Sequence, residues 1–158
     1  LPANGGVLMV TFVAGFVSAD AANVLFPAMK EFYASSPQTA SADERRAMYE
    51  EFKKNLVLPR VTVGDVADHI EHVVKLAGHD HVGIGGDFDG NDLWPEGLSD
   101  VSMYPNLFAE LIRRGWSDRD LAKLAGENVL RAMEQAERVA RELQKSTPAA
   151  SSISRDGK

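Results

Sequence analysis

A carboxylate at the end of a short apolar run is the feature of this sequence best suited to chemistry. Residues 82–90 read VGIGGDFDG, in which small and β-branched residues precede Asp87 and Asp89. This composition predicts a buried strand that ends at Asp87, with Gly90 allowing a sharp bend. Ligands of α/β proteins bind at the carboxyl ends of parallel strands, so Asp87 could hold an amine or move a proton there. The alternative is an ordinary Asp-Gly turn in which either aspartate bonds its own backbone.

The four histidines form two pairs, and neither pair makes a complete metal site. His69 and His72 lie three residues apart on a predicted helix, whereas His79 and His81 precede the predicted strand. Ligands carried by a helix usually have a third acidic or imidazole ligand nearby. The amino end of a barrel strand serves stability rather than chemistry. We therefore expect packing or surface roles, with metal ligation as the minor alternative.

Other catalytic motifs are absent from the sequence. No G-x-S-x-G elbow and no P-loop occurs, which removes the best-known signals for serine hydrolases and P-loop nucleotide binding. The glycines of residues 83–86 are a weak dinucleotide signal because no helix opens directly after them. Phe16 and Trp94 follow the predicted strands, where each is either a packing residue or part of a pocket rim.

Composition indicates a globular domain, or part of one, without a nucleic-acid surface. The chain has 158 residues, 44% of them hydrophobic, and a net charge of −6. Residues 117–145 hold six basic and six acidic side chains, a balance typical of a solvated helical face. Nucleic acid is therefore not an expected partner.

The sequence shows no membrane span and no targeting signal. Its longest apolar run, residues 7–16, is too short to cross a bilayer. The absence of cysteine excludes disulfides and thiolate metal sites but does not fix the compartment. The sequence slightly favours a soluble, cytoplasmic protein, although a leader before Leu1 would be invisible.

Hydrophobic periodicity and capping signals predict the order of the elements. The predicted elements are a strand over 7–13, a loop over 14–18, helices over 21–33, 43–55 and 62–77, a strand over 82–86, a loop over 88–103, a helix over 106–114, and one long helix from Ser117. Residues 1–145 are thus read as one folded segment and residues 146–158 as a disordered polar tail.

Thr62 and Asp65 have the spacing of a capping box at the start of the helix over 62–77, and Gly78 is expected to end that helix. Its apolar stripe is Val66, Ile70, Val73 and Ala77, and an apolar packing face is also predicted along the last helix as far as Leu143.

The two predicted strands have the composition of inner strands. Both are apolar, and neither carries the charges that protect an exposed edge. Two parallel strands cannot by themselves make a sheet that is buried on both faces. The sequence therefore predicts part of an α/β barrel or of a doubly wound sheet, with the other strands elsewhere.

Three segments carry a joint pattern that is specific to one family. They read GGVLMVTFVAGFVS from Gly5, TVGDVADHIEHVVKLAGHDHVGIGGDFDG from Thr62, and WPEGLSDVSMYPNLFAELIRRGWSDRDLAKLAGENVLR from Trp94. The DFDG turn, the DH-x-x-H helix and the P-E-G-L-x-D-V-S-x-Y-P segment together resemble the membrane (renal-type) dipeptidase family. The resemblance runs from about Asn4 to about Glu142.

This resemblance implies a zinc-dependent dipeptidase built on a (β/α)8 TIM-type barrel with two zinc ions. It places the chain at the carboxyl-terminal part of the barrel, near the seventh and eighth strands. Asp87 matches the family's active-site aspartate, which contacts the substrate amino group and assists proton transfer. Phe16 falls at a position that lines the substrate pocket.

The departures from the family pattern concern the metal. The family's zinc ligands align before Leu1, so no metal ligand is expected in this chain and none of its histidines matches one. The family's arginine that binds the substrate carboxylate, on the loop just before the strand at Val7, is absent as well. The isolated chain is therefore expected to be inactive, lacking the amino-terminal barrel half. A non-catalytic barrel that keeps the dipeptidase fold is the alternative, and a homodimer is left open.

Overall fold

Two parallel strands form the centre of the structure. The computed structural model describes residues 1–146, in which β1 (Leu8–Thr11) pairs with β2 (Val82–Gly86). Leu8 lies opposite Val82, and an irregularity follows Val10, so that Thr11 lies opposite Gly86. The expected parallel pairing with a helical crossover is confirmed.

Four helices form the crossover between the strands. They are α1 (Ala14–Val17), α2 (Ala19–Ser35), α3 (Ala42–Asn55) and α4 (Val63–Ala77). The loop predicted over residues 14–18 was wrong, because residues 14–17 form one helical turn. Gly15 is a packing residue rather than a helix breaker, since a Cβ there would lie 2.9 Å from Leu25 of α2.

Side-chain caps fix where the crossover helices begin. The Thr62 amide donates to Asp65 Oδ2 at 2.8 Å, which with the Thr62 side chain completes the expected capping box of α4. Ser41 and Glu44 form a second box at the start of α3. Gly78 ends α4 with φ of 89°, as the sequence predicts.

The carboxyl-terminal region is a broken helix rather than one long helix. Its elements are α5 (Tyr104–Arg113), α6 (Asp118–Ala122) and α7 (Asn128–Ser146). A wider helical turn at Lys123–Glu127 separates α6 from α7, and Gly126 adopts φ of 171° and ψ of −22° inside it. These angles are not helical, so the continuous helix expected from Ser117 is interrupted there.

The core lies between the strands, α4 and the carboxyl-terminal helices. Its fully buried members include Phe12, Val66, Ile70, Leu107, Leu111 and Leu124. The predicted apolar stripe of α4 is confirmed, since Val66, Ile70 and Val73 are buried.

Part of the apolar surface remains uncovered among the described residues. Leu8 and Met9 of β1 are 37% and 40% exposed, and Val139 and Leu143 of α7 are 52% and 57% exposed. The packing face predicted along α7 therefore has no partner at its end in residues 1–146. Ser146, where the sequence places the start of the tail, is the last residue of α7, and residues 147–158 lie outside the described residues.

Asn128 joins the start of α7 to β2. Its side chain is buried, and Nδ2 donates to the carbonyls of Val82 at 2.9 Å and His79 at 2.6 Å. These bonds hold the amino end of β2 and thereby help to fix the register of the strand that ends at Asp87.

We predict that Asn128→Ala lowers the free energy of unfolding of the full-length protein by roughly 1–3 kcal/mol, because it leaves buried carbonyls without a donor. Glu134→Ala, at an exposed position on the same helix, should change it by no more than about 0.5 kcal/mol. Urea denaturation measures both values. Equal effects of the two substitutions would show that the Asn128 bonds do not stabilise the strand.

Candidate functional site

A cleft of about 850 Å³ opens at the carboxyl ends of the two strands. Its lining includes Asp87 after β2, Phe16 after β1 and Trp94 from the long loop. The structure thus brings the two candidate residues, Asp87 and Phe16, to one cleft, with Trp94 on the rim. This is the end of a parallel sheet where α/β proteins bind ligands.

A tight backbone turn positions Asp87. Gly86 and Asp87 both have φ of 69°, in the left-handed region that side chains other than glycine rarely adopt. The Phe12 amide donates to the Gly86 carbonyl at 2.9 Å, and the Asp87 amide donates to the Gly85 carbonyl at 2.9 Å. A left-handed aspartate held in this way is typical of functional sites.

The Asp87 side chain is available for a ligand. It is exposed, and within residues 1–146 its carboxylate accepts no hydrogen bond, unlike that of an aspartate that caps its own turn. Gly90 makes room for it, because a Cβ there would lie 2.6 Å from Asp87 Oδ1. The geometry of the described residues thus favours the binding interpretation over the simple turn.

Asp89 also lines the cleft. The position of Asp89, two residues after Asp87, predicts that it faces away from Asp87 or serves the turn, and residues 88–90 do form a turn. Together with Asp92, three carboxylates therefore border the same space.

Three aromatic rings support the turn. Phe12, Phe88 and Tyr104 pack with centroid separations of 5.8–5.9 Å, and burial raises the pKa of Tyr104. A Cβ at Gly86 would lie 2.8 Å from the Tyr104 hydroxyl, so a larger residue there would displace the Tyr104 side chain, and the φ of 69° also favours glycine. The sequence interpretation missed this cluster, whose members are far apart in the chain.

Helices α1, α2 and α3 contribute an apolar wall to the cleft, of which the sequence interpretation predicted only Phe16. We define the apolar wall as Phe16, Phe26, Met29, Tyr33 and Tyr49. The signal was present, since positions 26, 29 and 33 follow a helical repeat. Phe16 and Phe26 contact each other, with ring centroids 6.0 Å apart.

Asp92 ties this wall to the loop after β2. It accepts a hydrogen bond from the Tyr49 hydroxyl at 2.9 Å and forms an ion pair with Lys53. The Lys53 ammonium also lies 5.1 Å from the centre of the Tyr49 ring. Burial and the Asp92 contact raise the pKa of Tyr49 to about 12, and Asp92 raises the pKa of Lys53.

We predict that Tyr49 stays protonated at pH 11, because folding raises its pKa from 10.0 to about 12. The resulting stabilisation is complete below pH 10 and is lost as the pH rises through about 12. The measurement is the tyrosinate absorbance of the native protein minus that of Tyr49→Phe. Asp92→Asn should shift the difference titration to lower pH. A Tyr49 signal that titrates near pH 10 in the native protein would contradict the Asp92 contact.

The four histidines do not come together to form a metal site within residues 1–146. His81 Nδ1 contacts the Gly6 carbonyl at 2.7 Å, and the His79 ring packs against Trp116 with centroids 4.6 Å apart. Burial lowers the pKa of His69, with a smaller contribution from His72. Within residues 1–146, no three His, Cys, Asp or Glu side chains are close enough to hold a metal ion. The described residues thus do not fit a catalytic metal by themselves.

No helix in residues 1–146 combines the length and the apolar composition that crossing a membrane requires.

The chain is similar in sequence to proteins described as dipeptidases. A profile described as membrane dipeptidase, peptidase family M19, matches residues 1–147. Dipeptidase aclJ of Aspergillus oryzae is 45% identical over 102 residues, which are 65% of this chain and 24% of that protein. An uncharacterized dipeptidase of Schizosaccharomyces pombe is 44% identical over 98 residues, which are 61% of this chain and 24% of that protein.

Solved structures share the fold. The probable dipeptidase PvdM of Pseudomonas aeruginosa matches with a TM-score of 0.58 and 31% identity, over 81% of this chain and 36% of that one. Dipeptidase AC, a family M19 metallopeptidase, matches with a TM-score of 0.51 and 25% identity, over 78% and 26%. A Rhodobacter sphaeroides metallopeptidase, solved with a phosphinate mimic of L-Ala-D-Ala, matches with a TM-score of 0.50 and 25% identity, over 78% and 25%.

These matches confirm the expected α/β fold class, as part of a TIM-type barrel. The chain spans about a quarter of the length of the curated relatives that it matches. Because the family profile covers residues 1–147 of 158, this chain belongs to the membrane dipeptidase family, peptidase family M19.

Proposed function

We propose that this chain forms part of a metallodipeptidase that hydrolyses the peptide bond of dipeptides. The observation that carries the proposal is the Asp87 carboxylate, exposed at the carboxyl end of a parallel strand in a chain of the dipeptidase family. The phosphinate mimic bound by the Rhodobacter sphaeroides relative supports a dipeptide as the substrate.

Asp87 would bind the free amine of the dipeptide and carry a proton to the leaving nitrogen. A carboxylate that accepts no hydrogen bond from residues 1–146 keeps its oxygens for an ammonium donor. A group positioned for proton transfer typically accelerates such a reaction by roughly 10²–10⁴-fold. Phe16, which also lines the cleft and is 55% exposed, would contact the substrate.

The proposed metal is zinc, as two ions held by residues outside these 158. The chain offers no ligand cluster within residues 1–146, and two solved relatives are described as metallopeptidases. We propose that the remainder of the barrel supplies both the zinc ligands and a group for the substrate carboxylate. A cytoplasmic location and a homodimer also remain proposals.

The rival function is a barrel that retains the fold only for binding. It predicts an intact cleft with no turnover. The presence or loss of a His-x-Asp pair in the amino-terminal half of the barrel separates the two, because the family resemblance places zinc ligands there.

We predict that Asp87→Asn in the full-length protein lowers kcat for dipeptide hydrolysis by roughly 10²–10⁴-fold. Asparagine keeps the size of the side chain but loses the negative charge and the proton acceptor. Metal content and thermal stability should stay close to those of the unmodified protein. Asp89→Asn is the matched control, on the same turn, and should cost much less. Near-normal turnover of Asp87→Asn would reduce Asp87 to a turn residue.

A second prediction concerns the metal. The full-length protein should bind about two zinc ions and lose dipeptidase activity with a chelator, whereas the isolated 158-residue chain should bind none stoichiometrically. The isolated chain should also melt without a cooperative transition, because apolar residues of β1 and α7 are exposed. Elemental analysis and a thermal melt measure both properties. Stoichiometric zinc in a cooperatively folded isolated chain would overturn the proposed location of the ligands.

A further inference from the structure

The apolar wall contains large side chains that are exposed to solvent, although folded proteins normally bury side chains of this kind. Phe16, Phe26 and Tyr33 are 55%, 45% and 65% exposed. Ala21 and Leu25 of α2 are buried, so the helix also packs against the rest of the structure. A continuous exposed apolar surface of this kind often marks a binding site, whereas apolar side chains scattered singly over a surface do not.

The apolar wall and Asp87 border the same space. Both belong to the lining of the cleft at the carboxyl ends of the strands. In a dipeptide, the amino group and the side chain of the first residue are attached to one Cα. An ammonium bound at Asp87 therefore places the first side chain inside this cleft, within reach of the surrounding apolar groups.

The charges around the wall oppose an acidic side chain. Asp87 and Asp89 both line the cleft, and the described lining contains no lysine, arginine or histidine. Of the three aspartates in the described lining, only Asp92 has a cationic and a hydroxyl partner, which are Lys53 and Tyr49. The wall itself consists of aromatic and methionine side chains, which favour apolar groups over charged ones.

The Asp92 contacts give the wall a defined position. Helix α3 carries both Tyr49 and Lys53, and the two side chains reach the loop that follows Asp87. The Ala14 amide also donates to the Leu93 carbonyl at 3.2 Å, which joins this loop to the end of β1. The wall and the Asp87 turn are thus held together by contacts at both strand ends.

We propose that the apolar wall is the subsite for the side chain of the substrate's amino-terminal residue and selects large apolar side chains there. The inference rests on the proposed dipeptidase function, in which Asp87 binds the substrate amine. It adds the class of dipeptide, with leucine or phenylalanine in the first position preferred to glycine, glutamate or lysine.

The experiment compares kcat/KM of the full-length protein for Phe-Gly, Leu-Gly, Gly-Gly, Glu-Gly and Lys-Gly. The first two should exceed Gly-Gly by roughly 10–100-fold, since methylene groups in an apolar pocket discriminate by factors of this size. The double variant Phe26→Ala and Tyr33→Ala should lower the ratio of Phe-Gly to Gly-Gly by about tenfold. Val24→Ala, on the same helix but outside the cleft lining, should leave the ratio unchanged.

Each other outcome overturns the proposal. Equal rates for Phe-Gly and Gly-Gly, or a preference for Lys-Gly, would refute an apolar first subsite while leaving the dipeptidase function intact. A double variant that loses stability, or loses activity equally on all substrates, would show that other parts of the protein cover the wall. If the protein with zinc present cleaves none of these dipeptides, the dipeptidase function itself is refuted, and the subsite with it.

Discussion

The reversal of the chain at Gly86 and Asp87 is the constraint on which the rest of the site depends. Both residues hold left-handed φ angles, so β2 cannot continue beyond them. The bond between the Phe12 amide and the Gly86 carbonyl fixes the turn to the neighbouring strand. The rings of Phe88 and Tyr104 pack beside it. The surrounding structure therefore positions the Asp87 carboxylate through the backbone. No group in residues 1–146 donates a hydrogen bond to the carboxylate oxygens, which leaves them free for a ligand.

The crossover between the strands divides structural and binding roles among its helices. Parallel strands need a long connection, and here it contains four helices. Helix α4 buries Val66 and Ile70 in the core and supports the strands directly. Helices α2 and α3 instead border the cleft, where residues such as Phe26 remain exposed. The part of the crossover that the core does not require is thus available to shape the binding space.

Local signals in the sequence predicted those parts of the fold that depend on neighbouring residues. The capping pair Thr62 and Asp65, the apolar stripe of α4 and the strand that ends at Asp87 were all correctly predicted. Each rests on a short pattern with a direct physical cause, such as a side chain that bonds an unpaired amide. Asp87 and Phe16 were found to line one cleft because the carboxyl ends of parallel strands are adjacent by geometry.

The features that were missed depend on contacts between distant segments. Gly126 lies in a helical pattern, and the sequence around it does not predict that the helix is broken there. Gly15 looks like a helix breaker until Leu25 is found against it. The contact of Tyr49 with Asp92 joins residues 43 positions apart. No periodicity in the sequence specifies such pairs, and the apolar wall could not be assigned to the cleft without them.

The charges that line the cleft determine which end of the proposed dipeptide substrate it would bind. Its described lining contains Asp87 and Asp89 but no basic side chain. Such a surface attracts an ammonium group and repels a carboxylate, since opposite charges stabilise each other most strongly where water is partly excluded. If the substrate is a dipeptide, this segment builds the half of the site that binds the amino end. The cationic groups that bind the carboxyl end, and the metal that polarises the peptide bond, must then come from residues outside this lining. The uncovered apolar surfaces of β1 and α7 are where such a further part of the protein would pack.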